Sequence, residues 1–177
     1  GGEGAGSRTV GDGAGRAHAQ GTNQVEGTSH ADAFRLLTQA SFGPRDADVS
    51  SVMNLGVAGW LDKQLAMPAQ GSVLARWNAD DVAMNGMAGT WNIDSAIYQE
   101  AFGNADQLRQ RVAYALSQIF VVSTQDGMLG FTRSQTSADY YDMLSKDAFG
   151  NFRTLLQDVT LHPAMGQYLS MRNNAKE

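Results

Sequence analysis

The chain has 177 residues, of which 42% are hydrophobic and 18% charged, and a formal net charge of −5. This length suits one ordinary domain, and the composition is that of a globular protein. The acidic charge is dispersed and no Lys/Arg cluster is present, so the chain is unsuited to binding nucleic acid or an anionic membrane surface.

Two further compositional features narrow the class. The absence of cysteine excludes disulfides, thiolate catalysis, zinc ribbons and iron–sulfur clusters. The longest apolar stretch, from Val112 to Val122, is well short of the roughly 20 residues that cross a bilayer. We therefore expect no transmembrane segment in this chain.

The first 30 residues differ from the rest. They contain nine glycines and, apart from alanine, only Val10 and Val25 as apolar side chains. Such a segment buries too little apolar surface to offset its ordering entropy. We predict a disordered glycine-rich tail over residues 1–30, resembling the spacer that follows the lipidated residue of a bacterial lipoprotein, and a helical domain over residues 31–177.

Three short helices are predicted before Pro68. Residues 31–40 carry Phe34 and Leu37 at helical spacing and are followed by a Phe-Gly-Pro break. Residues 46–55 form a second apolar face, and Gly56 favours a C-terminal stop there. Residues 57–66 continue as a third helix.

In the middle of the chain, a segment with little apolar periodicity precedes the segment with the strongest apolar periodicity. Residues 69–91 lack clean periodicity and are expected to be a long surface insertion, followed by a helix over 93–102 that Gly103 closes. Residues 106–122 give the strongest pattern and predict a helix of roughly 25 Å. Its expected core-facing stripe comprises Leu108, Val112, Ala115, Leu116, Ile119 and Phe120.

Arg109 interrupts that stripe. At about 100° per residue it falls between Leu116 and Phe120, inside the apolar arc. A guanidinium there needs a carboxylate or backbone carbonyls as partners, or must extend to solvent. Arg109 is therefore either a structural residue or a residue that binds an anion or substrate.

The last part of the chain is again helical. Residues 124–134 predict a loop and residues 137–148 a helix; Asn151 then caps a helix over 152–161, and Pro163 opens one more. No alternating run with a hairpin turn indicates a strand pair. The fold class predicted from the sequence is all-α, an irregular multi-helix domain.

Histidines offer little for catalysis. His18 and His30 lie in or beside the tail, where a site would have no rigid support. His162 follows a helix and precedes Pro163, and a histidine there can bind the last carbonyls of the preceding helix. The alternative is that His162 belongs to a functional site, which makes His162 and Arg109 the two candidate catalytic residues.

Carboxylates and phosphate-binding loops give no stronger signal. The sequence contains no Gly-x-Ser-x-Gly elbow and no glycine-rich loop followed by Lys and Ser/Thr. Asn78, Asp80 and Asp81 lack the ligand alternation of a calcium loop and are read as a solvated acidic turn. Asp139 and Asp142 share a predicted helix face, which exposed charges explain equally well. We expect no metal and no cofactor.

Four stretches together carry a resemblance to a known family. They are residues 34–44 (FRLLTQASFGP), 59–65 (GWLDKQL), 108–123 (LRQRVAYALSQIFVVS) and the pair 148–153 and 161–170 (AFGNFR and LHPAMGQYLS). Their order and spacing resemble the start of the bacterial domain-of-unknown-function 1800 family over most of residues 31–174. Each piece alone is weak, but four in order are specific.

The resemblance carries its own expectations. Relatives are usually exported, and their genes frequently neighbour those of a second exported family resembling sulfatases and alkaline phosphatases. It implies a secreted, periplasmic or outer-surface location and a possible partner in that second family. In the family a polar motif follows the Arg-Asn-Asn at 172–174, so we expect the domain to be truncated at its C-terminal side.

Two functions remain open at this stage. The first is an exported binding or assembly module that works with a partner protein or a surface polymer. The second is part of an enzyme acting on an extracellular polymer or ester, with a polar centre that includes His162 and Arg109 and is completed beyond residue 177. A pocket that joins these two side chains favours the enzyme, and their separation favours the binding module.

Overall fold

The computed structural model describes residues 1–2, 27–125 and 134–171. Within these residues the chain is all-α, as predicted, with no strand. The helices are α1 (His30–Ala40), α2 (Asp46–Ala66), α3 (Val73–Ala83), α4 (Thr90–Gly103), α5 (Gln107–Ile119), α6 (Ser134–Asp147), α7 (Phe152–Leu161) and α8 (Pro163–Tyr168). Most of the predicted tail and most of the predicted 124–134 loop lie outside the described residues.

Helices α1 and α2 form the first layer. The Ser29 hydroxyl accepts a hydrogen bond from the Asp32 amide at 3.1 Å and so caps α1. Gly56 has a φ of 72° inside α2, which breaks the helical geometry where the sequence predicts a stop. The two halves of α2 fold over α1 around a core of Ala33, Leu37, Val49, Val52 and Trp60.

The expectation of a surface insertion over residues 69–91 is wrong. Helix α3 occupies much of this segment and packs against α4 and α6. Val73 and Trp77 are one turn apart and both enter the core with Ile93 and Tyr141. Val73 and Trp77 are the buried residues of α3 and Leu74 packs beside them, so the helix depends on its tertiary partners more than on a long periodic stripe.

The predicted stripe of α5 is correct only in part, because Leu108, Leu116 and Phe120 pack against the cores whereas Ala115 and Ile119 are exposed. The buried side chains are Gln107, Arg109, Gln110 and Ala113, whereas Ile119 is 69% exposed. The Gln107 amide donates to the carbonyls of Ala101 and Asn104, at 2.8 and 2.7 Å. The polar side of α5 faces inward because the backbone ends of neighbouring helices lie there and need hydrogen-bond partners.

Helix α6 lies at the centre and contacts α3, α4, α5, α7 and α8. As predicted, the Asn151 side chain caps α7 by accepting from the amides of Arg153 and Thr154. Helices α6 to α8 enclose a core of Tyr140, Leu144, Leu155, Val159, Ala164 and Met165. None of the helices in the described part of the chain is long and apolar enough to cross a membrane.

Candidate functional site

A cavity of about 320 Å³ lies between α4, α5 and α6, and we call it the α4–α6 cavity. Four residues of α4, three of α5 and three of α6 line it, and the segment 120–124 after α5 completes the wall. These residues are Ile93, Asp94, Ile97, Tyr98, Tyr114, Ser117, Gln118, Phe120, Val121, Val122, Thr124, Ser137, Tyr140 and Tyr141. A concave site with a mainly apolar and aromatic wall and a few polar groups is the usual form of a ligand pocket.

Helical spacing explains which side chains reach the cavity. On α4 the lining positions are 93, 94, 97 and 98, on α5 they are 114, 117 and 118, and on α6 they are 137, 140 and 141. Positions three and four apart share one face of an α-helix. Each helix therefore presents a single face to the cavity, and the three faces meet because α6 packs against both α4 and α5.

Two adjacent tyrosines at the cavity differ in their hydrogen bonding. Tyr140 and Tyr141 are only 4% and 5% exposed. The Tyr140 hydroxyl donates to the Phe120 carbonyl at 2.9 Å, whereas the buried Tyr141 hydroxyl has no hydrogen-bond partner within residues 27–125 and 134–171. Burial raises the pKa of Tyr140 to about 12 and also raises the pKa of Tyr141. Both phenols are therefore neutral at physiological pH.

Ser137, one helical turn before Tyr141, is a second residue of the cavity wall with a buried hydroxyl. Its side chain is nine-tenths buried, lines the cavity, and its hydroxyl oxygen has no hydrogen-bond partner among the described residues. A buried hydroxyl without a partner is costly, and native proteins rarely leave one unpaired without a reason. Ser137 and Tyr141 lie on one face of α6 and both line the α4–α6 cavity, so the two unpaired hydroxyls belong to residues of its wall.

Asp94, an exposed residue of α4, is the ionisable carboxylate of the cavity wall. It forms no hydrogen bond and no ion pair with another described residue, and the neighbouring protein partly desolvates it, which raises its pKa above 3.8. No Lys, Arg or His side chain is among the described residues that line the cavity. The wall therefore combines one unpaired negative charge with neutral hydroxyls and aromatic rings.

Arg109 lies away from this cavity and is 8% exposed. Its guanidinium donates to the carbonyls of Ser145 and Lys146, at 3.1 and 3.3 Å, and to that of Met67 at 3.0 Å. It also lies over the Phe149 ring, 4.5 Å from the centroid. The backbone carbonyls expected as alternative partners are present, and the guanidinium binds the last turn of α6, where a cation is favoured.

His162 occupies the junction of α7 and α8. Its Nδ1 accepts from the Ala164 amide at 3.1 Å, and its Nε2 lies 3.3 Å from an oxygen of Asp139. The expectation that it binds the carbonyls of the preceding helix is wrong, because the ring turns forward and caps α8 instead. Burial lowers its pKa, and the Asp139 carboxylate opposes that shift.

The structure does not bring the two candidate catalytic residues together. Arg109 contacts the end of α6 and Met67, His162 contacts Asp139 and Tyr140, and neither lines the α4–α6 cavity. Both nitrogens of His162 already have partners, so the neutral ring has no free nitrogen to act as a base. The enzyme hypothesis based on these residues stays a prediction.

The acidic candidates have local structural partners. Asp80 accepts from the Asn92 amide at 2.9 Å, and Asp81 accepts from the Ala88 backbone amide at 3.0 Å. Asp142 binds the N-terminus of α3 by accepting from the Val73 and Leu74 amides. Over residues 27–125 and 134–171, no group of His, Cys, Asp or Glu is arranged to hold a metal ion.

The sequence reasoning did not identify the cavity residues as a site. Tyr140 and Tyr141 are recognisable from the sequence only as apolar positions of a helix, and Asp94 as an ordinary helix charge. A usable signal is the repeat of hydroxyl-bearing residues at 137, 140 and 141 on one helix face. That signal becomes specific only once α4 and α5 are placed opposite it.

Comparison with known proteins identifies the family to which this chain belongs. The family model described as "Protein of unknown function (DUF1800)" matches residues 35–177, which is well over half of the chain. The chain belongs to this family, as the four sequence stretches indicated. No curated protein and no solved structure matches the chain.

Proposed function

We propose that this domain binds a ligand in the α4–α6 cavity and acts as an exported binding module of the cell envelope or extracellular space. The observation that carries the proposal is the cavity itself, whose described wall combines four tyrosines and several aliphatic residues with the Asp94 carboxylate. A concave site of this composition buries a ligand against aromatic and apolar side chains and orients it by a few polar groups.

The size and composition of the cavity support the same function. A volume of about 320 Å³ accommodates a small molecule or one unit of a polymer. Tyr98 is 54% exposed and stacks on Phe102, which is 55% exposed, with ring centroids 6.0 Å apart. Because Tyr98 also lines the cavity, this aromatic pair continues the binding surface outward, where further units of a surface polymer can pack.

The proposal also includes export of the protein from the cytoplasm and binding to a second protein. Their support is the glycine-rich composition of residues 1–30, typical of a tether, and the resemblance to a family of exported proteins. We place the module outside the cytoplasm, secreted, periplasmic or on the outer surface. Its protein partner is then a second exported protein of the sulfatase- and phosphatase-like type.

Thermal unfolding of the full chain with a panel of compounds tests the binding function. The panel contains polyols, oligosaccharides, ammonium compounds, phosphate, sulfate and divalent metals. A ligand at about 100 times its dissociation constant adds about 2.7 kcal/mol, which raises the melting temperature by about 5–10 °C for a chain of this size. We expect one class of compounds to produce this shift.

A matched pair of variants locates the ligand. Ser117→Trp places an indole in the cavity and is expected to abolish the shift, whereas Ser50→Trp changes an exposed residue of α2 and is expected to retain it. The absence of any stabilising compound contradicts the proposal. An equal shift in the Ser117→Trp protein places the ligand elsewhere and contradicts it as well.

A further inference from the structure

The charges of the cavity wall restrict the ligand. Asp94 is the one charged side chain among the described residues that line the cavity, and none of the described residues forms an ion pair with it. A phosphate, sulfate or carboxylate in the cavity would lie beside this carboxylate without a compensating cation. The wall therefore disfavours anions and leaves neutral and cationic ligands.

The aromatic rings favour the cation. Four tyrosines line the cavity: Tyr98, Tyr114, Tyr140 and Tyr141. Phe42 holds Tyr114 by an edge-to-face contact at 5.7 Å, and Phe102 holds Tyr98 by stacking. The faces of such rings are electron-rich and attract organic cations, and several rings around a site strengthen that attraction. An alkylammonium group also has apolar methyl or methylene groups that pack on Ile93 and Ile97.

We propose that the α4–α6 cavity binds an organic ammonium group, with the Asp94 carboxylate as its counterion and the tyrosine rings as its walls. The inference rests on the proposed binding function and names the chemical class of the ligand. The raised pKa of Asp94 agrees with a carboxylate that has no cationic partner in the unliganded protein.

Calorimetric titration of the full chain with choline chloride tests the inference. Choline combines a trimethylammonium group with a hydroxyl, and 3,3-dimethylbutan-1-ol has the same shape without the charge. We expect choline to bind at least about tenfold more tightly than the neutral alcohol. Sodium chloride at the same concentration is the control for ionic strength.

Two charge-removing variants complete the test. Asp94→Asn is expected to weaken choline binding at least about tenfold and to leave the neutral alcohol unchanged. Asp62→Asn removes the same charge from an exposed residue of α2 and is expected to bind choline normally. Asp94 makes no hydrogen bond within the described residues, so its replacement is expected to preserve the melting temperature of the unliganded protein.

The outcomes separate this inference from the proposed function. Equal binding of choline and its neutral analogue, unaffected by Asp94→Asn, overturns the ammonium inference and retains a cavity that binds neutral molecules. Binding of phosphate or sulfate that Ser117→Trp abolishes also overturns it. The ammonium inference is also overturned if choline does not bind at tens of millimolar. The proposed binding function is retained in that case if a polyol binds in the cavity.

Discussion

The adjacent tyrosines of α6 allow a sharp test of the unpaired hydroxyl at the cavity. Tyr140 and Tyr141 are equally buried, but in the described part of the chain only the Tyr140 hydroxyl has a hydrogen-bond partner, the Phe120 carbonyl at 2.9 Å. Replacing each by phenylalanine removes one oxygen and keeps the ring. The two variants therefore differ mainly in whether a hydrogen bond is lost.

The expected effects have opposite signs. Tyr140→Phe loses a hydrogen bond and is expected to lower the free energy of unfolding by about 1 kcal/mol. Tyr141→Phe removes a hydroxyl that was desolvated without compensation, and is expected to raise the free energy of unfolding by about 1 kcal/mol. The difference of about 2 kcal/mol corresponds to about 4–8 °C in melting temperature for a chain of this size.

Urea unfolding followed by circular dichroism, together with thermal melts, measures this difference. The dependence of the unfolding free energy on urea is expected to be the same in both variants, so that the midpoints report stability alone. If Tyr141→Phe destabilises the protein as much as Tyr140→Phe does, the Tyr141 hydroxyl has a partner in the free protein. That result refutes an unpaired Tyr141 hydroxyl beside the cavity.

Two further predictions concern the residues singled out in the sequence. Arg109→Lys is expected to lower the melting temperature by about 5–10 °C, because a lysine ammonium cannot hydrogen-bond the Met67 carbonyl and the carbonyls at the end of α6 at the same time. If phosphate stabilises the parent chain but not this variant, Arg109 belongs to an anion-binding site instead. Because burial lowers the pKa of His162, the folded state favours its neutral form. The contribution of His162 to the free energy of unfolding is therefore fully present above pH 6.5 and is lost as the pH falls through the lowered pKa. His162→Asn retains a side-chain oxygen that can cap α8. It is expected to remove this part of the pH dependence of the melting temperature between pH 7 and pH 5. If the melting temperature of the variant depends on pH as that of the parent does, another group causes the dependence.

Local features of the fold were predictable from the sequence because neighbouring residues determine them. Gly56 interrupts α2, Asn151 caps α7, and Pro163 begins α8, as the sequence indicates. Each feature follows from the backbone preference or hydrogen bonding of one residue within a few positions of itself. The all-α class follows in the same way from apolar periodicity repeated along the chain.

Helices α3 and α5 show where local pattern stops being sufficient. The α3 segment lacks a long apolar stripe, and it is helical because Val73 and Trp77 pack against α4 and α6. On α5 the apolar arc includes Arg109 but not Gln107, which is buried because its side-chain amide donates to backbone carbonyls at the end of α4. Burial of a polar side chain depends on where distant chain ends lie, and periodicity contains no information about that.

The sequence by itself determined the helical class, the family and the positions at which most helices begin and end. Only the tertiary structure decided that Asp94, Ser137 and Tyr141 line one cavity and that Arg109 and His162 lie outside it. The physical reason is that a cavity forms where three helix faces meet, and their meeting depends on how whole helices pack. Within each helix these residues look like ordinary surface or core positions, and their unpaired polar groups become visible only when every neighbour is in place.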